Sequence, residues 1–234
     1  MLKSLLVFTF AGAFLSACPS TETVESTRVP AASVYQSYSI SASKRQTSVY
    51  AVFRLANETG KTIDLDAPAK IDLNDQPMTE IAPTFASGTT YEAKSGGFVP
   101  KQRFAFTDAG GKVYRNEIAL QALEIPIQKI VLSRTKAALV RLSRGVAPDE
   151  RISVSVTGKA LADKAPLNKT VEASLDESRV NLSVAPQSLK EFMTGAAKIS
   201  VMVEKKESLK QATPSGGAMR FVYQSNEAAS RITK

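Results

Sequence analysis

The feature that most limits the fold is a rhythm. Short stretches of alternating apolar and polar residues recur about every 8 to 12 positions, each closed by a polar, glycine or proline break, as strands do in a sandwich. VYQSYSIS (34–41) and SVYAVFRL (48–55) predict an opening hairpin, and TIDLD (62–66) and KIDLN (70–74) a second one. YEA (91–93), RFAFT (103–107) and KVYRN (112–116) continue the series, with Asp108, Ala109, Gly110 and Gly111 supplying a tight connection. AALVRL (137–142), ISVSV (152–156), RVNLSV (179–184), KISVMV (198–203) and MRFVY (219–223) follow. A period of two sends alternate side chains to opposite faces, so each run buries one face and wets the other. The expected class is all-β; QSLKEFMTG (187–195) alone reads as a short helical turn, closed by Gly195.

Packed sheets must supply the stability, because the 234 residues contain one cysteine, Cys18, which forms no internal disulfide. Histidine is absent. Together these two facts exclude thiolate and imidazole metal sites, Cys/His nucleophile pairs and the Ser-His-Asp triad. No cofactor is expected.

Residues 1–17 hold one charge, Lys3, then an apolar run from Leu5 to Leu15 and the small residues Ser16 and Ala17. That is the layout of a secretory signal peptide, and the run is shorter than the roughly 20 apolar residues a membrane span needs. Leu15-Ser16-Ala17-Cys18 resembles the lipobox of bacterial lipoproteins. The resemblance implies that Cys18 receives a diacylglyceryl group, that the signal is cut before it, and that the new amino terminus is acylated. It also implies a membrane anchor, with Pro19 in place of an inner-membrane retention aspartate favouring the outer membrane, periplasmic or surface-facing. Residues 18–29 are polar and read as a flexible linker, and residues 226–234 as a polar tail.

Between these ends, the pattern breaks at Pro126 and the charge changes with it. Residues 30–124 hold ten Lys and Arg against ten Asp and Glu, whereas residues 125–225 hold sixteen against nine. Two tandem Ig-like β-sandwich domains, 30–124 and a basic 125–225, are the expected organisation.

Lys129, Arg134, Lys136, Arg141 and Arg144 fall in a stretch without any acid and are the candidate polyanion-binding residues; Lys198, Lys205, Lys206 and Lys210 form a second concentration. In an envelope protein the fitting partners are acidic glycans, lipid head groups or another envelope protein, and nucleic acid is disfavoured by compartment. Asp64, Asp66, Asp72 and Asp75, with Asn74, have the oxygen chemistry of a calcium site, yet they alternate with Ile63, Leu65, Ile71 and Leu73 as in any half-buried strand, and EF-hand spacing is missing. The expectation is a non-enzymatic binding or scaffolding protein. The alternatives are an envelope hydrolase using a carboxylate pair and a subunit of a larger envelope assembly.

Overall fold

The computed structural model describes residues 23–82 and 88–234; Cys18 and the signal segment lie outside them. The all-β expectation holds. After the short β1 (Thr23–Glu25) the chain enters the hairpin β2 (Val34–Ser43) and β3 (Gln46–Leu55), as the sequence predicts. Short strands β4 (Thr62–Asp64), β5 (Lys70–Leu73), β6 (Gln76–Pro77) and β7 (Thr79–Ile81) lead to β8 (Thr90–Gly96) and the hairpin β9 (Lys101–Thr107) and β10 (Val113–Ala119). The second half contains β11 (Ile130–Ser133), β12 (Ala138–Arg141), β13 (Glu150–Lys159), β14 (Pro166–Val171), β15 (Ala173–Leu175) and β16 (Asn181–Val184). It closes with β17 (Gly195–Ser208), β18 (Gly217–Gln224) and β19 (Ala228–Thr233). The predicted helical turn is a 3-10 turn at Pro186–Leu189.

A long sheet runs in the order β1-β4-β3-β2-β18-β17-β13-β14, with β8 and β7 continuing beside β3, and β19 and β11 beside the start of β17. Two smaller sheets, β10-β9-β5-β6 and β12-β16-β15, complete the sandwich. Their buried side chains join those of the long sheet in a continuous apolar cluster. In the first half the layers meet through rings: Tyr38 stacks on Phe104 at 4.3 Å and Phe53 lies 4.5 Å from Phe106. Such pairs add about 0.5–1.5 kcal/mol each beyond their burial.

The long sheet crosses the line drawn between residues 124 and 125. β18 pairs in parallel with β2, from Gly217 beside Gln36 to Gln224 beside Ser43. Gly217 allows this approach, since a Cβ there would lie 2.2 Å from the Gln36 carbonyl oxygen. Phe98 of the first half packs on Tyr223 of β18 at 4.7 Å. The two halves are therefore sewn along a shared sheet.

Three expectations need correction. The flexible linker expected over 18–29 contains structure from Thr23: β1 pairs with β4, Val24 and Val29 pack on the core, and the buried Ser26 hydroxyl accepts the Asp66 N–H at 2.8 Å. The polar tail expected over 226–234 is β19, held between β17 and β11 with Ile232 buried. The second hairpin does not form, because β4 stays in the long sheet while β5 crosses to the small one. Ile63 and Ile71 are both buried, and they reach the core from opposite layers.

Candidate functional site

The acid-free stretch forms one edge of the second half. Ile130 and Leu132 of β11 are buried while Val131 faces out, and Ala138 and Val140 of β12 are buried while Leu139 and Arg141 face out. Because β11 joins the long sheet through β19 and β12 belongs to the small one, these outward side chains leave the sandwich from different layers. Lys129 precedes β11, and Arg134 and Lys136 sit on the turn between the two strands. The cations thus wrap an edge rather than cover a face. Ser133 organises the turn: its hydroxyl accepts the Thr135 and Lys136 N–H groups at 3.2 Å each and donates to the Lys234 carbonyl at 3.1 Å.

That contact brings in cations the sequence reading missed. Parallel pairing sets Arg231 beside Val131, and the Arg134 N–H bonds the Thr233 carbonyl at 3.2 Å. Arg231 and Lys234 therefore extend the edge, although about a hundred residues separate them from it along the chain. Exposed Ile127, Val131 and Leu139 lie among these charges. Among the described residues, Lys129, Arg134, Lys136 and Arg141 make no ion pair.

Arg144 has a different role and leaves the candidate set. Its guanidinium donates from Nε to Ala122 O at 3.1 Å, from Nη1 to Gly145 O at 2.7 Å and from Nη2 to Gln121 O at 2.7 Å. The same fork holds both oxygens of Glu150, at 2.7 and 3.0 Å, and Glu150 is nearly buried. All five donor directions are used within the protein. A run of like charges does not say which members already have partners.

In the second basic concentration, Lys198 pairs with Glu227 at 2.6 Å, Lys205 with Glu207 at 2.7 Å and with Asp149 at 3.2 Å, and Lys206 with Glu204 at 3.3 Å. Hydrogen bonding to Glu207, and then to Asp149, raises the Lys205 ammonium above its ordinary value. Among the described residues Lys210 makes no such pair, and it faces a cleft over the first half's small sheet.

The acids of the proposed oxygen cluster are dispersed. Asp64 accepts the Tyr91 hydroxyl at 3.0 Å, Asp72 pairs with Lys70 at 2.8 Å, and Asp75 pairs with Arg103 at 3.2 Å. Among the described residues no group of three or more acids or thiols is arranged to hold a metal. For a carboxylate-pair hydrolase, Asp75 and Glu117 share a cleft, but bonding to Lys101 holds Glu117 below the ordinary carboxylate range. A general acid needs the opposite shift. Glu80 is raised, by burial and then by Asp64 and Asp66, yet its side chain lies on the exposed strand β7.

No family model matches the chain, and no curated protein matches it. Among solved structures it is similar to the Bacteroides ovatus mixed-linkage glucan utilization locus protein SGBP-B, in complex with a mixed-linkage heptasaccharide. The identity is 11%, the TM-score 0.21, and the match covers 80% of this chain and 52% of that one. The chain spans about half the length of that protein, and the likeness is too slight to carry an argument.

Proposed function

We propose that this is a lipid-anchored, non-catalytic protein of the bacterial cell envelope that holds an acidic partner through the basic edge of its second half. The observation that carries the reading is the set of four cations, Lys129, Arg134, Lys136 and Arg141, left without carboxylates among the described residues while neighbouring lysines are paired. Arg231 and Lys234 reinforce them, and the exposed Ile127, Val131 and Leu139 add apolar contact. Unpaired cations mixed with apolar side chains suit a polyanion that also offers apolar surface, such as a lipid head-group layer. The anchor belongs to the same proposal and rests on the lipobox resemblance at Cys18. The Ig-like organisation belongs to it in a narrower form, as two sandwich-like halves that each set one small sheet on its own stretch of the shared long sheet.

The test uses the full chain, extracted from bacterial membranes, beside a variant with Lys129→Gln, Arg134→Gln, Lys136→Gln and Arg141→Gln. Co-sedimentation with anionic vesicles, neutral vesicles and an acidic polysaccharide is followed at rising salt. Binding to an anionic partner that weakens with salt and is lost in the variant supports the reading. Equal binding of variant and parent overturns it. Intact mass of the same preparation, beside Cys18→Ser, is expected to show a chain beginning at Cys18 with added lipid, and a free thiol there would remove the anchor.

A further inference from the structure

The cleft over the small sheet of the first half has a volume of about 360 Å³ and is built by three elements. β9 and β10 supply the floor and one wall: in register, Arg115 stands across from Ala105 and Glu117 across from Arg103. The β5–β6 turn supplies a second wall. Asn74 and Asp75 both adopt left-handed backbone there, with φ of 50° and 65°. Asn74 accepts the Arg103 N–H at 3.0 Å and donates to Gln102 Oε1 at 2.9 Å, and the turn sets Asp75 against Arg103.

Lys210 forms the third wall, from the connection between β17 and β18. Its neighbour Gln211 is pinned to β10. The buried Asn116 side chain donates to Gln211 O at 2.7 Å and accepts Gln211 N–H at 3.0 Å, while Gln211 Oε1 accepts the Arg115 N–H at 2.7 Å. The backbone that carries Arg115 and the backbone that carries Lys210 are therefore tied together, although 95 residues separate them. A cleft whose walls are fixed in this way loses little freedom when a ligand enters.

Its charges define the ligand. Arg103 is committed to Asp75, and Glu117 to Lys101 at 2.8 Å. Arg115 and Lys210 make no ion pair among the described residues. Both lining carboxylates are thus already neutralised, and Arg115 and Lys210 leave two positive charges over. Two such cations can hold the two oxygens of one carboxylate, and the engaged carboxylates beside them still offer lone pairs to hydroxyl groups, which a phosphate ion does not supply in a ring. Between long charged side chains, Ala105 leaves a small apolar floor. An apolar floor with polar walls fits a ring that has C–H faces and hydroxyl edges.

We propose that this cleft binds a carboxylate-bearing sugar ring, a uronate unit of an acidic glycan, with Arg115 and Lys210 holding the carboxylate and Asp75 and Glu117 accepting ring hydroxyls. The site is separate from the basic edge and stands whether or not that edge binds a partner. Calorimetry of the full chain in detergent with oligogalacturonate, its methyl ester and inorganic phosphate tests it. Saturable binding of the oligogalacturonate is expected, weakened on the order of tenfold or more by esterification, and by Arg115→Gln or Lys210→Gln with melting temperature unchanged. Arg115→Gln and Lys210→Gln are also made in the four-site variant of the basic edge, where any oligogalacturonate held by the edge is gone and the remaining ester-sensitive site should be lost with either cleft residue. The methyl ester comparison uses the unaltered chain and so does not depend on how any variant folds. Equal affinity for ester and acid, phosphate binding as tight as the uronate, parent-like binding by both cleft variants, or no uronate binding would each overturn the proposal.

Discussion

The two small sheets cover the same long sheet with different chemistry. Over the first half the contact is made of rings, Tyr38 on Phe104 and Phe53 on Phe106, with Tyr114 stacked 5.8 Å from Phe106. Over the second half Val140, Leu182 and Val184 of the small sheet join Val154, Val156, Ile199 and Val201 of the long one, and a buried ring there, Phe192, stacks on no other ring among the described residues. The surfaces differ in parallel: acids and bases balance in the first half, and the second has surplus positive charge. Ring stacking demands specific geometry, while branched aliphatic side chains tolerate repacking. The comparison teaches that the half with the more exacting core also has the bounded, pinned cleft, and the half with the more forgiving core displays its unpaired charges along an open edge.

The largest effect expected is from Phe104→Ala, which removes a ring 1% exposed and should cost about 3–5 kcal/mol; Leu182→Ala in the other half should cost about 2–5 kcal/mol. Because β2 and β18 share a ladder, both variants are expected to shift a single urea transition, followed together by tyrosine fluorescence and circular dichroism. Two separable transitions, each sensitive to one variant, would break the picture of sewn halves. Next comes Arg144→Ala, which strands the nearly buried Glu150 and should cost about 3 kcal/mol. Lys136→Ala, on the same charge run, should stay within about 0.5 kcal/mol, and equal losses in denaturant would erase the distinction between edge and interior cations.

Gly217→Ala tests the seam directly. Its Cβ would meet the Gln36 carbonyl oxygen, so a loss of about 1–3 kcal/mol is expected in the same urea measurement. The smallest effect concerns Asp176, at the turn into β16. The Asn181 amide and the Ser178 hydroxyl, aided by backbone N–H groups, hold its carboxyl at about 2, below its ordinary 3.8. A carboxyl depressed by folding adds stability that is present above its unfolded value and is lost as pH falls through its folded one. The melting-temperature gap between parent and Asp176→Asn should therefore be constant near neutrality and shrink between about pH 4 and pH 2. A gap that does not change over that window would show that the turn does not depend on the charge.

Strand alternation made most of the elements legible, including the hairpin over Asp108 to Gly111, where the Asp108 side chain accepts the Gly110 and Lys112 N–H groups at 2.9 Å. It did not reveal which strands become neighbours. Nothing in MRFVY or VYQSYSIS announces that β18 lies in parallel beside β2, because period-two patterning fixes a face and leaves the partner unspecified. β19 was invisible for another reason: among small and polar residues Ile232 is the only large apolar side chain it buries. The site was legible as a charge count. Its membership was not, since Arg144 is occupied by Glu150 and backbone carbonyls, and Arg231 joins the edge through a pairing remote in the chain; Arg115 and Lys210 meet in the separate cleft by another such pairing.

The seam also decides which strand edge is covered last on the sheet. In the finished fold β2 lies between β3 and β18, so wherever β3 has paired and β18 has not, β2 presents a bare row of N–H and C=O groups. That open edge is a template for any strand that drifts past, a second copy included. Only arrival of the last two strands hides it, with β18 closing β2 and β19 closing β11. A chain cut short before Gly217 is thus expected to self-associate through β2, and the final twenty or so residues act as the protein's own protection against pairing with the wrong neighbour.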